Sequence, residues 1–133
     1  MIERIIYLGF DDAVWLHLDL MKEWKETRFG VDHRSLVESA LARPRQAATY
    51  ENADIIRQSA TLCFGLIKNH PWLGGNKRTA THLTEAFLQL NDYYIEYEIS
   101  GMLEMVLAVE SGAWKVGEIE SWLRNKVKKV ESQ

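Results

Sequence analysis

The chain has 133 residues, a length that suits one domain with its own apolar core, and we expect residues 1–133 to form that single domain. Its net charge of -3 excludes a general nucleic-acid-binding protein, because no excess of Lys and Arg is available to displace counterions from phosphates. The single cysteine excludes an internal disulfide, and no apolar run approaches membrane-spanning length, so we expect a cytoplasmic protein without direct nucleic-acid or membrane contact.

The N-terminal part predicts one helix. Residues 2–8 form a short apolar run that suits either an edge strand or an extended lead-in. Asp11 or Asp12 can cap a helix that runs to about Arg28. His17 on this helix is interpreted as a packed or surface histidine.

The next part predicts a short helix followed by a loop. Asp32 is a suitable cap for a helix over about residues 33–42, and Pro44 ends it because proline lacks the backbone N–H. Residues 43–51 contain small side chains without an apolar stripe. We therefore expect an exposed loop there.

Two central helices are predicted on either side of the most distinctive stretch. Asn52 is the expected cap of the first, and Asn91 is expected to end the second. Both helices carry apolar side chains at helical spacing: Ile55, Ile56, Leu62, Cys63, Leu66 and Ile67 in the first, and Ala80, Leu83, Phe87 and Leu90 in the second. We expect these stripes to pack antiparallel, which fixes the geometry of the loop between them.

The C-terminal part predicts a short extended piece and two further helices. Residues 93–99 are aromatic and β-branched, and Ser100 can cap a helix that ends near Glu110. The last helix is expected from about Lys115 to Val130. The predicted fold is therefore an all-α domain of about six helices.

The stretch between the central helices reads His70-Pro71-Trp72-Leu73-Gly74-Gly75-Asn76-Lys77-Arg78. Pro71 ends the first helix and the two glycines permit a tight turn. Asn76 is a good N-cap, which places Lys77 and Arg78 on the first turn of the second helix. A helix dipole disfavours cations at that end, so two of them indicate a bound anion, most economically a phosphate. His70 lies across from it as a candidate general base.

Other chemistries find no support in the sequence. It lacks an H-E-x-x-H or C-x-x-C metal motif, a G-x-S-x-G nucleophile turn and the G-K-S/T ending of a Walker A loop. A histidine facing an anion-binding helix start remains, and this pair suits the transfer of part of a nucleotide onto a hydroxyl group.

The stretch resembles the Fic/Doc signature, roughly H-x-F-x-D/E-G/A-N-G/K-R, and its ending Asn76-Lys77-Arg78-Thr79-Ala80 is similar to the Doc (death on curing) toxin branch. Segments at residues 39–44, 59–61 and 87–91 also resemble the Doc pattern, so the resemblance covers nearly the whole chain.

This resemblance implies an unusual protein kinase. His70 would be the general base, and Gly75, Asn76, Lys77 and Arg78 would bind the phosphates of ATP. The Fic branch has glycine at the position of Lys77, whereas the Doc branch has lysine. Lys77 therefore implies transfer of the γ-phosphate to a translation factor similar to elongation factor Tu. Transfer of AMP to a protein hydroxyl is the alternative within the family. Residues 43–51 would correspond to the flap that holds the target segment, although a plain connector fits those residues equally well.

One departure concerns the metal. The acidic residue through which the family helps to hold Mg²⁺ aligns with Gly74, and no carboxylate stands beside it. Magnesium held by phosphates and water, an acid from elsewhere, or a catalytically silent binding module would each account for this difference. We therefore assign no metal-binding residue.

A second departure concerns regulation. The S/T-x-x-x-E-G/N helix of self-inhibited Fic proteins is absent. The resemblance then implies inhibition by a separate cognate antitoxin, whose segment docks in a groove of the toxin. Trp15 and Trp24 are candidates for lining that groove.

Overall fold

The computed structural model describes residues 4–131 as six helices and one two-stranded antiparallel sheet. The elements in chain order are α1 (Phe10–Glu23), α2 (Arg34–Glu51), α3 (Ile55–Asn69), α4 (Asn76–Leu90), β1 (Tyr93–Ile95), α5 (Ile99–Ser111), α6 (Val116–Arg124) and β2 (Val127–Lys129). The predicted helical fold with six helices is confirmed. None of the helices in the described range is long and apolar enough to cross a membrane.

Helix α3 is the centre of the fold and packs against α2, α4, α5 and α6. Most of its residues are buried, as its apolar stripe predicts. The expected cap Asn52 is wrong, because Asn52 ends α2 in the left-handed conformation. Asp54 caps α3 instead, and its carboxylate accepts a hydrogen bond from the Arg57 backbone N–H at 2.9 Å.

Helix α2 is longer than the sequence predicts. The loop expected over residues 43–51 is helical, and Pro44 lies inside the helix at an intrinsic cost of about 3 kcal/mol. Close packing against α3 offsets this cost: a Cβ atom on Gly65 would lie 3.3 Å from the Ala40 Cα atom. Because this segment is helical, it is not an exposed flap.

The chain end also differs from the prediction. Helix α6 stops at Arg124 instead of continuing to Val130, and β2 pairs with β1, so that Ile95 is opposite Val127. Val127 faces the core while Lys128 and Lys129 after it are exposed. Strand pairing across more than thirty residues of sequence therefore overrides the local helical pattern.

Helix α1 ends at Glu23, earlier than the predicted Arg28, and Lys25 takes a positive φ of 54° just beyond it. The chain then turns back along the loop between α3 and α4. Backbone N–H groups of Asp32 and Leu73 donate to the carbonyls of Pro71 and Gly30 respectively, each at 2.9 Å. These bonds place residues 24–33 beside the candidate site.

The segment before α1 does not form a strand in its described part, residues 4–9. The side chain of Asn91 instead holds it by two hydrogen bonds, one with the N–H and one with the carbonyl of Ile6, at 2.8 and 2.9 Å. The extended lead-in is therefore the correct alternative there, and residues 2 and 3 lie outside the described range.

Candidate active site

The loop between α3 and α4 turns sharply at both ends. His70 ends α3 in the left-handed conformation, with φ 50° and ψ 53°. Gly75 is the N-cap of α4 with φ 66°, so Asn76 is the first helical residue and the predicted cap is off by one position. Glycine suits this place because left-handed backbone strains other residues.

Asn76 is buried and its amide group holds the loop from inside. Its Oδ1 atom accepts the Trp72 N–H at 2.9 Å, and its Nδ2 atom donates to the Trp72 carbonyl at 2.8 Å. Nδ2 also lies 3.3 Å from Nδ1 of His70. An amide nitrogen only donates, so Nδ1 is the acceptor and the neutral His70 ring carries its proton on Nε2.

This arrangement changes the role of Asn76. Its side chain is occupied by the loop and has no free donor aimed outward for a phosphate. The backbone N–H groups at the start of α4 remain, because the first residues of a helix have no intrahelical acceptors. The backbone at the start of this 15-residue helix can therefore attract an anion.

Trp72 fills the space beneath the loop. It is only 1% exposed and stacks on His17, with the ring centroids 4.2 Å apart and the planes at 15°. His17 projects from the inner face of α1 beside Ala13 and Leu20. The stack therefore joins α1 to the candidate site.

His17 connects three segments through both ring nitrogens. The Gly30 N–H donates to Nε2 at 2.9 Å, so Nε2 is unprotonated and Nδ1 carries the proton. Nδ1 then donates to the Thr79 hydroxyl oxygen at 2.8 Å, on the first turn of α4. Sequence reasoning missed this role, and the only available signal was the spacing of His17 from Ala13 and Leu20.

Burial lowers the pKa of His17 to about 4, from an ordinary value of 6.5. The unfolded chain binds this proton below about pH 6.5 and the folded chain only below about pH 4, so stability falls as the pH drops through this interval. We expect a loss on the order of 3 kcal/mol from this group. Urea unfolding of wild type and His17→Gln at several pH values gives the difference, and NMR titration of the His17 ring checks its pKa directly. Titration near pH 6.5 would contradict the assignment.

Lys77 and Arg78 lie exposed on the first turn of α4, as predicted, and each contacts an acid from a distant segment. Arg78 pairs with Glu26 at 3.0 Å and its guanidinium lies 4.1 Å from the Trp24 ring centroid. Lys77 pairs with Glu110 at 3.3 Å. Exposed pairs of this kind contribute about 0–1 kcal/mol, so a polyanion displaces them readily.

Position 74 explains the missing family acid. A Cβ atom on Gly74 would overlap the carbonyl oxygen of Arg28 and lie 3.1 Å from the carbonyl carbon. The backbone of residues 24–33 therefore occupies the space that a side chain would need. Within residues 4–131, no three His, Cys, Asp or Glu side chains converge in a way that could hold a metal ion. The protein groups at this place do not fit a protein-held magnesium ion.

We expect Gly74→Asp to destabilise the fold rather than to create a metal site. The clash involves backbone atoms, and strain of this kind costs about 1–3 kcal/mol or more. Urea unfolding measures the loss, with Gly117→Asp as control because a Cβ there meets nothing within 4 Å. Unchanged stability together with a gain of magnesium-dependent nucleotide binding would show that the Arg28 backbone moves aside at little cost.

Comparison with known proteins identifies the family. Residues 7–88 match the Fic/DOC family, so the chain belongs to it. The structure is similar to the N-terminal Fic domain of a VirB-translocated Bep effector protein from Bartonella quintana, with a TM-score of 0.51 and 16% sequence identity. That likeness covers 71% of this chain, which spans 47% of the other, and it concerns the fold. A search of curated proteins found no match.

Members of this family are typically transferases that modify protein targets by nucleotide transfer. The similar structure is an effector Fic domain and not a Doc toxin. The family match includes α1 to α3 and nearly all of α4, and therefore the whole candidate site.

Proposed function

We propose that this chain is a Doc-type kinase that transfers the γ-phosphate of ATP to a hydroxyl group of a translation factor similar to elongation factor Tu. One observation carries this proposal: Asn76 holds His70 and the start of α4 on a single loop. A base and an anion-binding helix end are thereby kept at a fixed distance, which is what transfer between a nucleotide and a hydroxyl requires.

In the proposed step, the target oxygen attacks the γ-phosphorus and its proton passes to Nδ1 of His70. The new O–P bond forms as the bond between the γ-phosphorus and the β–γ bridging oxygen breaks, and ADP leaves. The Asn76 contact with Nδ1 is 3.3 Å, longer than usual for a hydrogen bond, so the incoming hydroxyl replaces it at little cost.

The phosphates would bind at the start of α4. Backbone N–H groups from Asn76 onward would donate hydrogen bonds to the phosphates, and Gly75 would allow the phosphates to approach closely. The Lys77 and Arg78 side chains would pair with the phosphate charges. ATP is the expected substrate. Magnesium, if it accompanies the nucleotide, would be held by phosphates and water.

Two alternatives rest on particular residues. AMP transfer would place the α-phosphate beside His70. The Fic branch, which is associated with this reaction, has glycine at the position of Lys77. A catalytically silent binding module would explain why Gly74 has no carboxylate and why both site cations already have acidic partners.

The position of the transferred label separates these functions. We expect protein-bound label from ATP labelled at the γ-phosphate and none from ATP labelled at the α-phosphate, with purified protein, magnesium and a bacterial lysate. Label from the α position would overturn the kinase in favour of AMP transfer. No label from either would favour the binding module.

Glu26 should weaken nucleotide binding because it competes with phosphate for Arg78. We expect Glu26→Gln to tighten ATP binding about 2- to 5-fold at low salt, the scale of an exposed ion pair. Calorimetric titration measures the change. Glu38→Gln is the matched control, since it breaks an exposed pair with Arg34 within α2. Equal affinity of the Glu26 variant and wild type would show that the pair does not restrain Arg78.

A cognate antitoxin is the proposed inhibitor in the cytoplasm. A groove of about 730 Å³ lies between the N-terminal segment, α1 and α4, lined among others by Ile6, Leu16 and Leu90. Trp15 also lines this groove and is 64% exposed, which suits an apolar anchor from a docked helix. Trp24 lies against Arg78 instead, so we place it with the phosphate site.

A further inference from the structure

Helix α5 is apolar on two sides. Its inner side is buried through Met102, Met105, Val106 and Val109. A second set, Ile99, Leu103 and Leu107, repeats every four residues and is 83%, 53% and 46% exposed. Residues at this spacing share one helix face, which we call the α5 stripe. In the described structure nothing covers it.

The surroundings of the α5 stripe are strongly acidic. Residues 79–114 contain no Lys or Arg and carry six acidic residues, namely Glu85, Asp92, Glu96, Glu98, Glu104 and Glu110. Four cations from outside this range lie near them. Lys77 pairs with Glu110, and Lys126 lines a hollow with Glu96, Glu98 and Glu104. Lys128 and Lys129 lie on β2 opposite β1, which begins beside Asp92. The face around the stripe therefore remains net negative.

We infer that the α5 stripe docks a basic amphipathic helix of another protein, with apolar residues at helical spacing flanked by Lys or Arg. The apolar side chains supply buried area and the surrounding carboxylates select a cationic partner. A second copy of this chain fits less well, because a two-fold contact through the same face brings like charges together. An anionic lipid surface is repelled for the same reason.

The position of Glu110 connects this surface to the candidate site. Glu110 lies one turn beyond Leu107 on α5 and pairs with Lys77 at 3.3 Å. A basic residue at that end of the docked helix would compete with Lys77 for Glu110. Helix α5 lies outside the family match at residues 7–88, so this docking does not depend on the proposed kinase activity.

The test uses two synthetic helical peptides of about 18 residues, long enough to cover α5, one with Leu and Lys and one with the same pattern of Leu and Glu. We expect the Lys peptide to bind, with NMR shifts at α5, and the Glu peptide not to bind. Leu103→Asn combined with Leu107→Asn should weaken binding at least about tenfold. Leu18→Asn with Val130→Asn is the matched control, because these side chains are similarly exposed elsewhere.

Several results would overturn the inference. Equal binding of the Lys peptide to wild type and to the stripe variant would show general attraction of a polycation and no docking on the α5 stripe. The same conclusion would follow if the control variant weakened binding as much as the stripe variant. Sedimentation showing a dimer that the stripe variant abolishes would assign the face to a second copy. Stripe-dependent binding to anionic vesicles would assign it to lipid, and no binding of the Lys peptide would reject the docking site.

Discussion

Asn76→Ala is expected to lower the free energy of unfolding by about 3 kcal/mol, because it leaves two buried backbone groups of Trp72 without partners at about 1–3 kcal/mol each. It also frees the loop on which His70 lies from the start of α4. We expect label transfer to fall at least about 100-fold, the scale of a misplaced catalytic group. Urea unfolding and transfer assays measure the two effects separately.

Asn125→Ala is the matched control for this variant. The Asn125 amide makes a single exposed hydrogen bond of 3.3 Å to the Ser121 carbonyl, far from the loop in sequence. Its loss should change stability by about 0.5 kcal/mol or less and leave transfer intact. If Asn76→Ala behaved like this control, the amide would not be what holds the loop.

Trp72→Ala is expected to cost about 3–5 kcal/mol of stability, since it opens a cavity in the core and removes the stacking partner of His17. The loop rests on this ring, so transfer should fall as well. Thermal and urea unfolding give the stability, and transfer is measured well below the midpoint of unfolding.

Trp72→Phe separates filling of the core from the identity of the side chain. Phenylalanine keeps an aromatic ring against His17 and removes the buried Nε1–H, which has no hydrogen-bond partner in the described structure. We expect a cost below about 1.5 kcal/mol and nearly normal transfer. A Phe variant as unstable as the Ala variant would mean that the indole shape itself is required.

The sequence predicts the central part of this fold well. Helices α3 and α4 carry long apolar stripes, and periodicity of that kind survives in any packing arrangement. Pro71 and the two glycines predict the loop between these helices, because their backbone preferences are local. The positions of His70, Lys77 and Arg78 at this loop are therefore predictable from the sequence, and their roles stay predictions.

Contacts between residues far apart in the chain could not be predicted from the sequence. Helix α2 continues past Pro44 because α3 packs against it, and the C-terminal residues form β2 because β1 lies beside them. The pairing of Arg78 with Glu26 joins residues 52 apart, and no local pattern signals it. The blocked space at Gly74 likewise depends on where the chain returns at residue 28.

The most direct test compares transfer of label from ATP to protein by wild type and His70→Ala. We predict a loss of about 100- to 10,000-fold, the usual contribution of a general base, with ATP binding and stability unchanged. His82→Ala is the control, since that imidazole is partly exposed on α4, more than one turn beyond the loop. Equal transfer by wild type and His70→Ala would contradict a transferase that works through this loop.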